Sequence, residues 1–456
     1  FMTTTTHPMA DKPIGQLLRQ FAVPSIIAML VSSLYNIIDQ LFIGQNIGLL
    51  GNAATNIAFP LTPTCVAFSL MFGIGGAARF NLAMGKKEAA AYMGNALLML
   101  VSCGIVLCII VRLFLTPMLL FFGATDQVLD YARTYTGITS LGFPFLILAT
   151  GGGHLIRADG SPQFSMICNL VGAIVNTVLD ALFIFGFHMG MAGAAYATII
   201  GQIISALLVI RYMCHFKTVP LHLSELKPKA DYIMHIVLLG TSPFINQIAM
   251  MIVQVVMNNS LSYYGALSSY GSEIPLACAG IISKVNMIFF SISIGLSQGM
   301  QPIASFNYGA ENYGRVREAV IKTMTASTLI CTVAFILFQL FPRQITGIFG
   351  SGSEEYFPFA SRYFRIFLFF TFLNGIQPVA GNFFTAIGKP VYGIFISLTR
   401  QILFLLPLIL ILPLTFSLDG ILYAGPIADV ASAVIVSLFV VYELRKLNKV
   451  CSASKA

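Results

Sequence analysis

Charged side chains are scarce in this chain. They account for 9% of its 456 residues, whereas an ordinary soluble domain has about 25%. Hydrophobic residues account for 57%, and the mean hydropathy is +0.85. This balance excludes an ordinary soluble protein and predicts a membrane protein that crosses the bilayer several times.

Signatures of catalysis and nucleotide binding are absent as well. The sequence contains no GxxxxGK[ST] run and no polar insertion large enough for an ATP-binding domain. The eight cysteines form no CxxC pair, which favours packing roles over a metal or redox centre. The six histidines are dispersed, so a membrane-embedded enzyme is the least favoured alternative, and no catalytic residue, metal or cofactor is expected. No repeated filter sequence or ring of charges suggests a channel.

Twelve apolar stretches are long enough to span a bilayer, which takes about 20 residues. They lie near residues 14–43, 53–83, 92–117, 127–156, 162–187, 190–214, 231–262, 274–307, 316–341, 354–386, 390–416 and 419–444. Because six is an even number, both halves enter the membrane from the same side and are predicted to be parallel repeats. We therefore predict an all-α membrane protein with a six-helix lobe at 1–214, a linker at 215–230 and a second six-helix lobe at 231–456.

Positive charge is concentrated at alternate connections between the spans and near both ends of the chain, as at Lys86, Lys217, Arg315 and Lys449. The positive-inside rule then places both termini and the linker in the cytoplasm. This distribution, together with the attraction of anionic lipids, accounts for the net charge of +8. We therefore expect membrane lipids as partners and no nucleic acid.

The two halves of the chain share a repeat. Pro24 recurs as Pro243, Gly75 as Gly299, and the run 158–162 as 386–390, at offsets of 219, 224 and 228 residues. Such near-constant offsets indicate one structural unit used twice. The halves differ in their acids: Asp39 and Asp180 lie inside spans of the first half, and the position that matches Asp39 holds Asn258.

Asp39 and Asp180 are the residues most suggestive of function, because an ionisable residue inside a membrane span is costly and marks a functional site by default. Both are predicted towards the outer ends of their spans, at comparable depth. Further polar residues lie on the same helical faces or in the sixth span: Tyr35, Asn36, Asn169, Asn176, Thr198 and Gln202. We expect these residues to line one polar cavity within the first lobe. For each acid, a structural hydrogen bond to a neighbouring helix is the alternative.

The protonation of such an acid is closely balanced. Protonating an ordinary Asp at pH 7 costs about 4 kcal/mol. Keeping it charged at the centre of a bilayer costs roughly 2.5–3.5 kcal/mol on insertion scales. Wetting or drying of the cavity can therefore add or remove the proton, as a carrier coupled to protons requires.

Candidates in the second half are weaker. Lys284 and Gln377 lie within spans and are candidate cavity residues, although for Lys284 we favour an ion pair with a partner such as Asp429. In the first span, Pro24 removes a backbone hydrogen bond and allows a bend that would move the segment bearing Asp39. Ordinary helix curvature is the alternative for that proline.

Several runs of sequence carry a family resemblance. They are Leu34-Tyr35-Asn36-Ile37-Ile38-Asp39, Gly73-Ile74-Gly75-Gly76-Ala77, Arg157-Ala158-Asp159-Gly160, Asn176-Thr177-Val178-Leu179-Asp180 and Gly190-Met191-Ala192-Gly193-Ala194-Ala195. With their echoes in the second half, these runs resemble the multidrug and toxic compound extrusion (MATE) family, in particular its prokaryotic DinF-like branch and the MepA-like subgroup. The resemblance extends across nearly all twelve spans.

The resemblance implies a multidrug efflux antiporter with the two-lobed fold of that family, in a bacterial cytoplasmic membrane. Small amphipathic or cationic molecules leave as protons, or alternatively sodium ions, enter. Asp39, Asp180, Tyr35, Asn176 and Thr198 match positions that couple cations in that branch, with Pro24 at the bend. The resemblance also implies a monomer, and a sodium ion, if used, would lie at Asp39 and Asp180.

A lipid-linked-oligosaccharide flippase of the same superfamily is the main alternative, because it shares the parallel repeat. Such proteins usually hold several basic residues in a central cavity to bind pyrophosphate. Only Lys284 and Arg400 are deep in this chain. The acid pattern of the other bacterial branch is also missing, since Asn258 and Gln377 stand at those positions.

Overall fold

The computed structural model describes residues 7–122, 124–271, 273–348 and 355–455. Before the linker the helices are α1 (Pro8–Asp11), α2 (Ile14–Asn46), α3 (Leu49–Ala58), α4 (Leu61–Leu82), α5 (Glu88–Leu113), α6 (Leu115–Phe121), α7 (Asp126–Thr139), α8 (Phe143–Ala158), α9 (Pro162–Ala181) and α10 (Met191–Met213). After it come α11 (Ala230–Ala266), α12 (Glu273–Gly309), α13 (Tyr313–Leu340), α14 (Pro342–Ile348), α15 (Tyr356–Phe367), α16 (Ile376–Ala386), α17 (Pro390–Leu398), α18 (Leu406–Phe416) and α19 (Leu418–Lys455). No β-strand occurs within these ranges.

Short irregular segments interrupt or extend several of these helices. Single 3₁₀ turns lie at Ser140–Gly142, Leu223–Leu226 and Thr371–Leu373, and π-helical turns at Leu182–Gly186 and Thr399–Leu405. Proline begins α9 and α17 at Pro162 and Pro390, where its missing N–H costs no helical hydrogen bond. The apolar runs of the sequence thus become helices whose ends are set by proline and by connections.

The spans agree with the sequence prediction. Eleven helical stretches in the described part of the chain are long and apolar enough to cross a membrane. A twelfth is formed by Tyr356–Phe367 and Thr371–Ala386, which are bent by 42° at their junction. The predicted all-α membrane fold with about twelve spans is confirmed.

By contacts, the chain forms two compact units. The first unit is Val23–Gln247 with Thr385–Pro390, and the second unit is Phe1–Ala22, Ile248–Phe384 and Val391–Ala456. Helices α2 and α11 each contribute residues to both units. The predicted lobes at 1–214 and 231–456, with the linker at 215–230, follow the sequence repeat and stay a prediction, because the compact units are divided at other residues.

In the first unit, helices α4, α5, α8, α9 and α10 pack against one another. Glycine allows the closest of these approaches: a Cβ added at Gly73 in α4 would lie 2.7 Å from the Cα of Gly151 in α8. Small residues of this kind let membrane helices approach at backbone distance. Phe80, Met93 and Ile147 fill the core around this contact.

A buried carboxylate fixes the linker to the first unit. Asp159, 2% exposed, accepts hydrogen bonds from the backbone N–H groups of Lys217 at 2.9 Å and Thr218 at 3.2 Å. The hydroxyls of Thr218 and Tyr212 also donate to this carboxylate, the latter at 2.6 Å. The beginning of the linker is therefore an ordered part of the first unit.

The second unit has an aromatic core. Phe338, Phe359, Tyr363 and Phe364 are buried there together. The start of the chain belongs to this unit, where Arg315 on α13 donates to the carbonyls of Met9 at 2.9 Å and Lys12 at 2.6 Å. These bonds hold the residues that precede α2.

Candidate functional site

Two carboxyl groups meet inside the first unit. Asp39 on α2 and Asp180 on α9 lie close enough for their side chains to interact, and they are 8% and 1% exposed. An ionised carboxylate carries only acceptors, so a hydrogen bond between two carboxyl groups requires at least one proton. The structure thus brings the two sequence-predicted acids together, at a place where they can share a proton.

Three buried oxygen atoms of this pair and of the neighbouring Asn176 lack a hydrogen-bond donor in the described part of the chain. Asn176 lies one turn before Asp180 on α9 and is 4% exposed. The Oδ1 atoms of Asp39, Asp180 and Asn176 have no hydrogen-bond partner among the described residues. A buried acceptor without a partner costs about 1–3 kcal/mol. These oxygens are therefore suited to receive a further proton, a water molecule or a small cation.

Two tyrosines accompany the acids. Tyr35 lies one turn before Asp39 on α2, and Tyr135 comes from α7. Both interact electrostatically with Asp39 and with Asp180. Tyr35 was predicted from the helical face that it shares with Asp39. Tyr135 was not predicted, although Tyr135 and Thr139 share a polar face of α7 that the sequence displays.

A small cavity adjoins Tyr135. It has a volume of about 40 Å³, which is room for a few water molecules. Its walls are Ala58, Leu61, Thr62, Tyr135, Thr139, Phe143, Leu146, Thr198 and Gln202. Thr198 and Gln202 were expected to share one polar cavity with the acids. Both line this cavity, whereas Asp39 and Asp180 do not. Gln202 Oε1 has no partner among the described residues, so it is available to bind water.

The other candidates of the first half are less closely associated with the acid pair. Asn36 is exposed, and its amide donates to the carbonyl of Ser32 at 2.8 Å in its own helix. Asn169 is half-buried, two turns before Asn176 on α9. Pro24 is buried inside α2, some fifteen residues before Asp39. Of these three, only Asn169 shares the face of α9 that carries Asp180.

The second-half candidates belong to the second unit. Gln377 is half-buried and donates to the carbonyl of Ile396 at 3.2 Å. Lys284 is exposed. Asp429, 1% exposed, binds Arg400 Nε at 2.7 Å. The favoured pairing of Lys284 with Asp429 was wrong, because the buried acid takes its cation from the neighbouring helix of the same unit.

The arrangement can hold and release a proton within the membrane-spanning part of the chain. In the described residues no group of three or more His, Cys, Asp or Glu side chains is arranged to hold a metal ion. The site instead combines two carboxyls, one amide and two phenols. These groups are suited to proton binding and to weak coordination of a hard monovalent cation through oxygen.

Comparison with known proteins gives three relevant matches. The MatE family model matches residues 24–182 and 245–411. The multidrug export protein MepA of Staphylococcus haemolyticus is 26% identical over 452 residues, which cover 97% of each chain. MepA of Staphylococcus saprophyticus is 26% identical over 438 residues, or 93% of each chain.

Solved structures agree with these matches. The MATE multidrug transporter DinF-BH, in complex with rhodamine 6G, is 34% identical and superposes with a TM-score of 0.87 over 95% of this chain and 96% of that one. An outward-facing multidrug resistance MATE transporter of the MOP superfamily superposes with a TM-score of 0.90 over 98% of this chain and 99% of that one. At 19% identity, the second match supports only the assignment of the fold.

Proposed function

This chain belongs to the MatE family of multidrug efflux transporters, and we propose that it is an antiporter that exports amphipathic or cationic compounds in exchange for protons. The proximity of two buried carboxyl side chains, Asp39 and Asp180, carries the proposal. Two neighbouring carboxyls share a proton readily, because two adjacent negative charges in a dry site repel each other. Loss of that proton to the cytoplasm would then be linked to the transport cycle.

The free energy released by proton entry is large enough to drive such a cycle. A membrane potential of about 100 mV supplies roughly 2.3 kcal/mol for each charge moved. That free energy corresponds to about a fifty-fold concentration ratio of the exported compound. One proton per exported molecule is therefore enough for a neutral compound. A monovalent cation needs a second proton or a pH difference, because its outward movement cancels the charge of the first proton.

A cationic substrate class is supported by the relatives and by the charge of the site. One solved relative is in complex with rhodamine 6G, and the MepA proteins are multidrug exporters. A deep acid pair can offset positive charge, while apolar walls accept many shapes with similar affinity. We propose the same breadth for this chain, acting as a monomer among membrane lipids.

Sodium is the alternative coupling ion. The carboxyl and amide oxygens of Asp39, Asp180 and Asn176 are ligands of the type that hard cations prefer. The flippase alternative is weakened because one of the two deep basic residues, Arg400, is bound to Asp429.

Transport in reconstituted vesicles tests the proposal. We expect rhodamine 6G to move against its gradient when a proton gradient is imposed, and to move little under a sodium gradient alone. Collapse of the proton gradient by an ionophore should stop the movement. Transport driven by a sodium gradient alone would identify sodium, and not the proton, as the coupling ion. Transport that responds to neither gradient would contradict antiport.

A further inference from the structure

An arginine is buried at the inner end of α8. Arg157 is 5% exposed. Its Nη1 donates to the Ser25 hydroxyl at 3.3 Å, and its Nη2 lies 3.1 Å from Nδ1 of His154. Its Nε has no hydrogen-bond partner among the described residues, and neither bonded side chain is a carboxylate. Because a buried cation without an opposite charge costs stability, Arg157 points to a role other than stability.

Ser25 occupies a special place in α2, because it directly follows Pro24. Proline has no backbone N–H, so the carbonyl of Gln20 loses its helical donor and α2 is weakest here. The division between the compact units falls just before this proline, between residues 22 and 23. A weak point in α2 therefore coincides with the place where the helix changes units.

Contacts hold α2 on both sides of this weak point. Before it, a Cβ added at Gly299 would lie 2.6 Å from the Cα of Ala22, so α12 packs at backbone distance within the second unit. After it, Arg157 binds Ser25 within the first unit. From Ser25, α2 continues without another proline to Asp39, about 21 Å further along the helix axis at 1.5 Å per residue.

The second half of the repeat differs at this place. Phe244 stands at the position that matches Ser25, and Thr385 at the position that matches Arg157. Phe244 packs against Phe68, with ring centroids 5.0 Å apart, so the contact after Pro243 is apolar. The polar contact and the acid pair thus belong to the same half of the chain.

We propose that Arg157 is a positioning residue for transport, which sets the direction of α2 beyond Pro24 through its bond to Ser25. A bend of α2 at Pro24, which would move Asp39, then requires this bond to break and re-form in each cycle. The inference rests on the proposed antiport, because it concerns the segment that bears Asp39. Among the described residues, the side-chain hydrogen bonds of Arg157 are with Ser25 and His154 and not with the acids.

Single and double substitutions test this role in vesicles with an imposed proton gradient. We expect Arg157→Gln and Ser25→Ala each to lower rhodamine 6G efflux about tenfold, the effect of losing one hydrogen bond to a charged group. The double variant should be no slower than either single variant, because both changes remove the same contact. Arg157→Lys keeps the charge and one donor, and should recover part of the rate. Equilibrium binding of the dye to the solubilised variants should stay within about twofold of wild type, since the contact lies away from the acid pair.

Arg445→Gln, the same substitution at an exposed position of α19, provides the matched control, and its efflux should equal that of wild type. Wild-type efflux in Arg157→Gln would overturn the inference, as would additive losses in the double variant. Parallel losses of dye binding, thermal stability and efflux would make Arg157 a structural residue and overturn it as well. Failure of the proposed antiport would give a different result, because efflux by the wild-type protein would then not depend on the proton gradient.

Discussion

Asp39 and Asp180 can form a hydrogen bond to each other only when at least one of the two carboxyls is protonated, because two ionised carboxylates have no donor. Replacement by Asn preserves shape and hydrogen bonding but removes the titratable proton. We expect Asp39→Asn and Asp180→Asn to insert normally and to lower gradient-driven rhodamine 6G efflux by about tenfold or more, the range of a typical coupling free energy. Efflux from reconstituted vesicles measures the loss.

Asn258 is the internal control for this prediction. It stands where the repeat places Asp39 in the second half, is exposed, and accepts a hydrogen bond from Gln254 at 3.2 Å. Asn258→Ala should therefore leave efflux near the wild-type rate. If both Asp variants pumped normally and Asn258→Ala did not, the coupling site would lie in the second half.

The acid pair was predictable from the sequence, whereas one of its neighbours was not. Tyr35 and Asn176 follow from Asp39 and Asp180 by helical spacing, since residues three or four apart share a face. Tyr135 comes from α7, and spacing along one helix cannot tell which other helix supplies a side chain. That choice depends on how α7 packs on α3 and α10.

The contacts of Asp159 lead to a prediction about the stability of the protein. Its replacement by Ala removes the acceptor for two backbone N–H groups of the linker and for two hydroxyls. Leaving buried donors unpaired costs about 1–3 kcal/mol for each group, so Asp159→Ala should lower the melting temperature and expose the linker to trypsin at Lys217. Asp130→Ala, at an exposed position of α7, should change neither quantity. Unchanged trypsin cleavage in Asp159→Ala would show that other contacts hold the linker.

Among the helices, the contact between α4 and α8 depends on the absence of side chains. A Cβ at Gly73 would lie 2.7 Å from the Cα of Gly151, which forces the backbones apart. We expect Gly73→Ala to destabilise the protein by about 1–3 kcal/mol, as overpacking does. Thermal melting of the solubilised protein is the measurement. Gly280→Ala in α12 should melt like wild type, because nothing lies within 4 Å of the added Cβ. Equal melting temperatures for the two variants would refute the close packing.

The spans were predictable because a helix needs about 20 apolar residues to cross a bilayer, and the length of an apolar run can be read directly from the sequence. Their interruptions were harder to predict. The stretch 354–386 was expected as one span, and the structure bends it by 42° between Phe367 and Thr371. The π-helical turn at Thr399–Leu405 was also not expected. Such local departures depend on packing and on neighbouring side chains, for which hydropathy carries no signal.

At the scale of the whole molecule, the positive-inside rule predicts which connections face the cytoplasm. Cys214 is exposed at the end of α10, on the side predicted to be cytoplasmic. A membrane-impermeant maleimide should therefore label it only after the cells are permeabilised, as read by mass spectrometry of the labelled peptide. A cysteine introduced by Asp126→Cys, at the start of α7, should be labelled in intact cells. The reverse pattern would invert the topology.

The repeat revealed the two equivalent halves but not the division into compact units. Offsets between equivalent residues identify which helices correspond, whereas contacts decide which residues pack together. Residues 7–22 pack with the second unit, and residues 230–247 pack with the first. Sequence periodicity carries no information about such exchanges, because they depend on contacts between segments that are distant along the chain.

The linker occurs once in this chain, and so does the carboxylate that binds it. The residue that matches Asp159 in the second half is Ile387, which is 3% exposed. A six-helix ancestor that was not yet joined to a second copy would have had no linker for such an acid to bind. We therefore expect this acid to have arisen after the two copies were joined, so that its presence marks the fusion rather than the common origin of the halves.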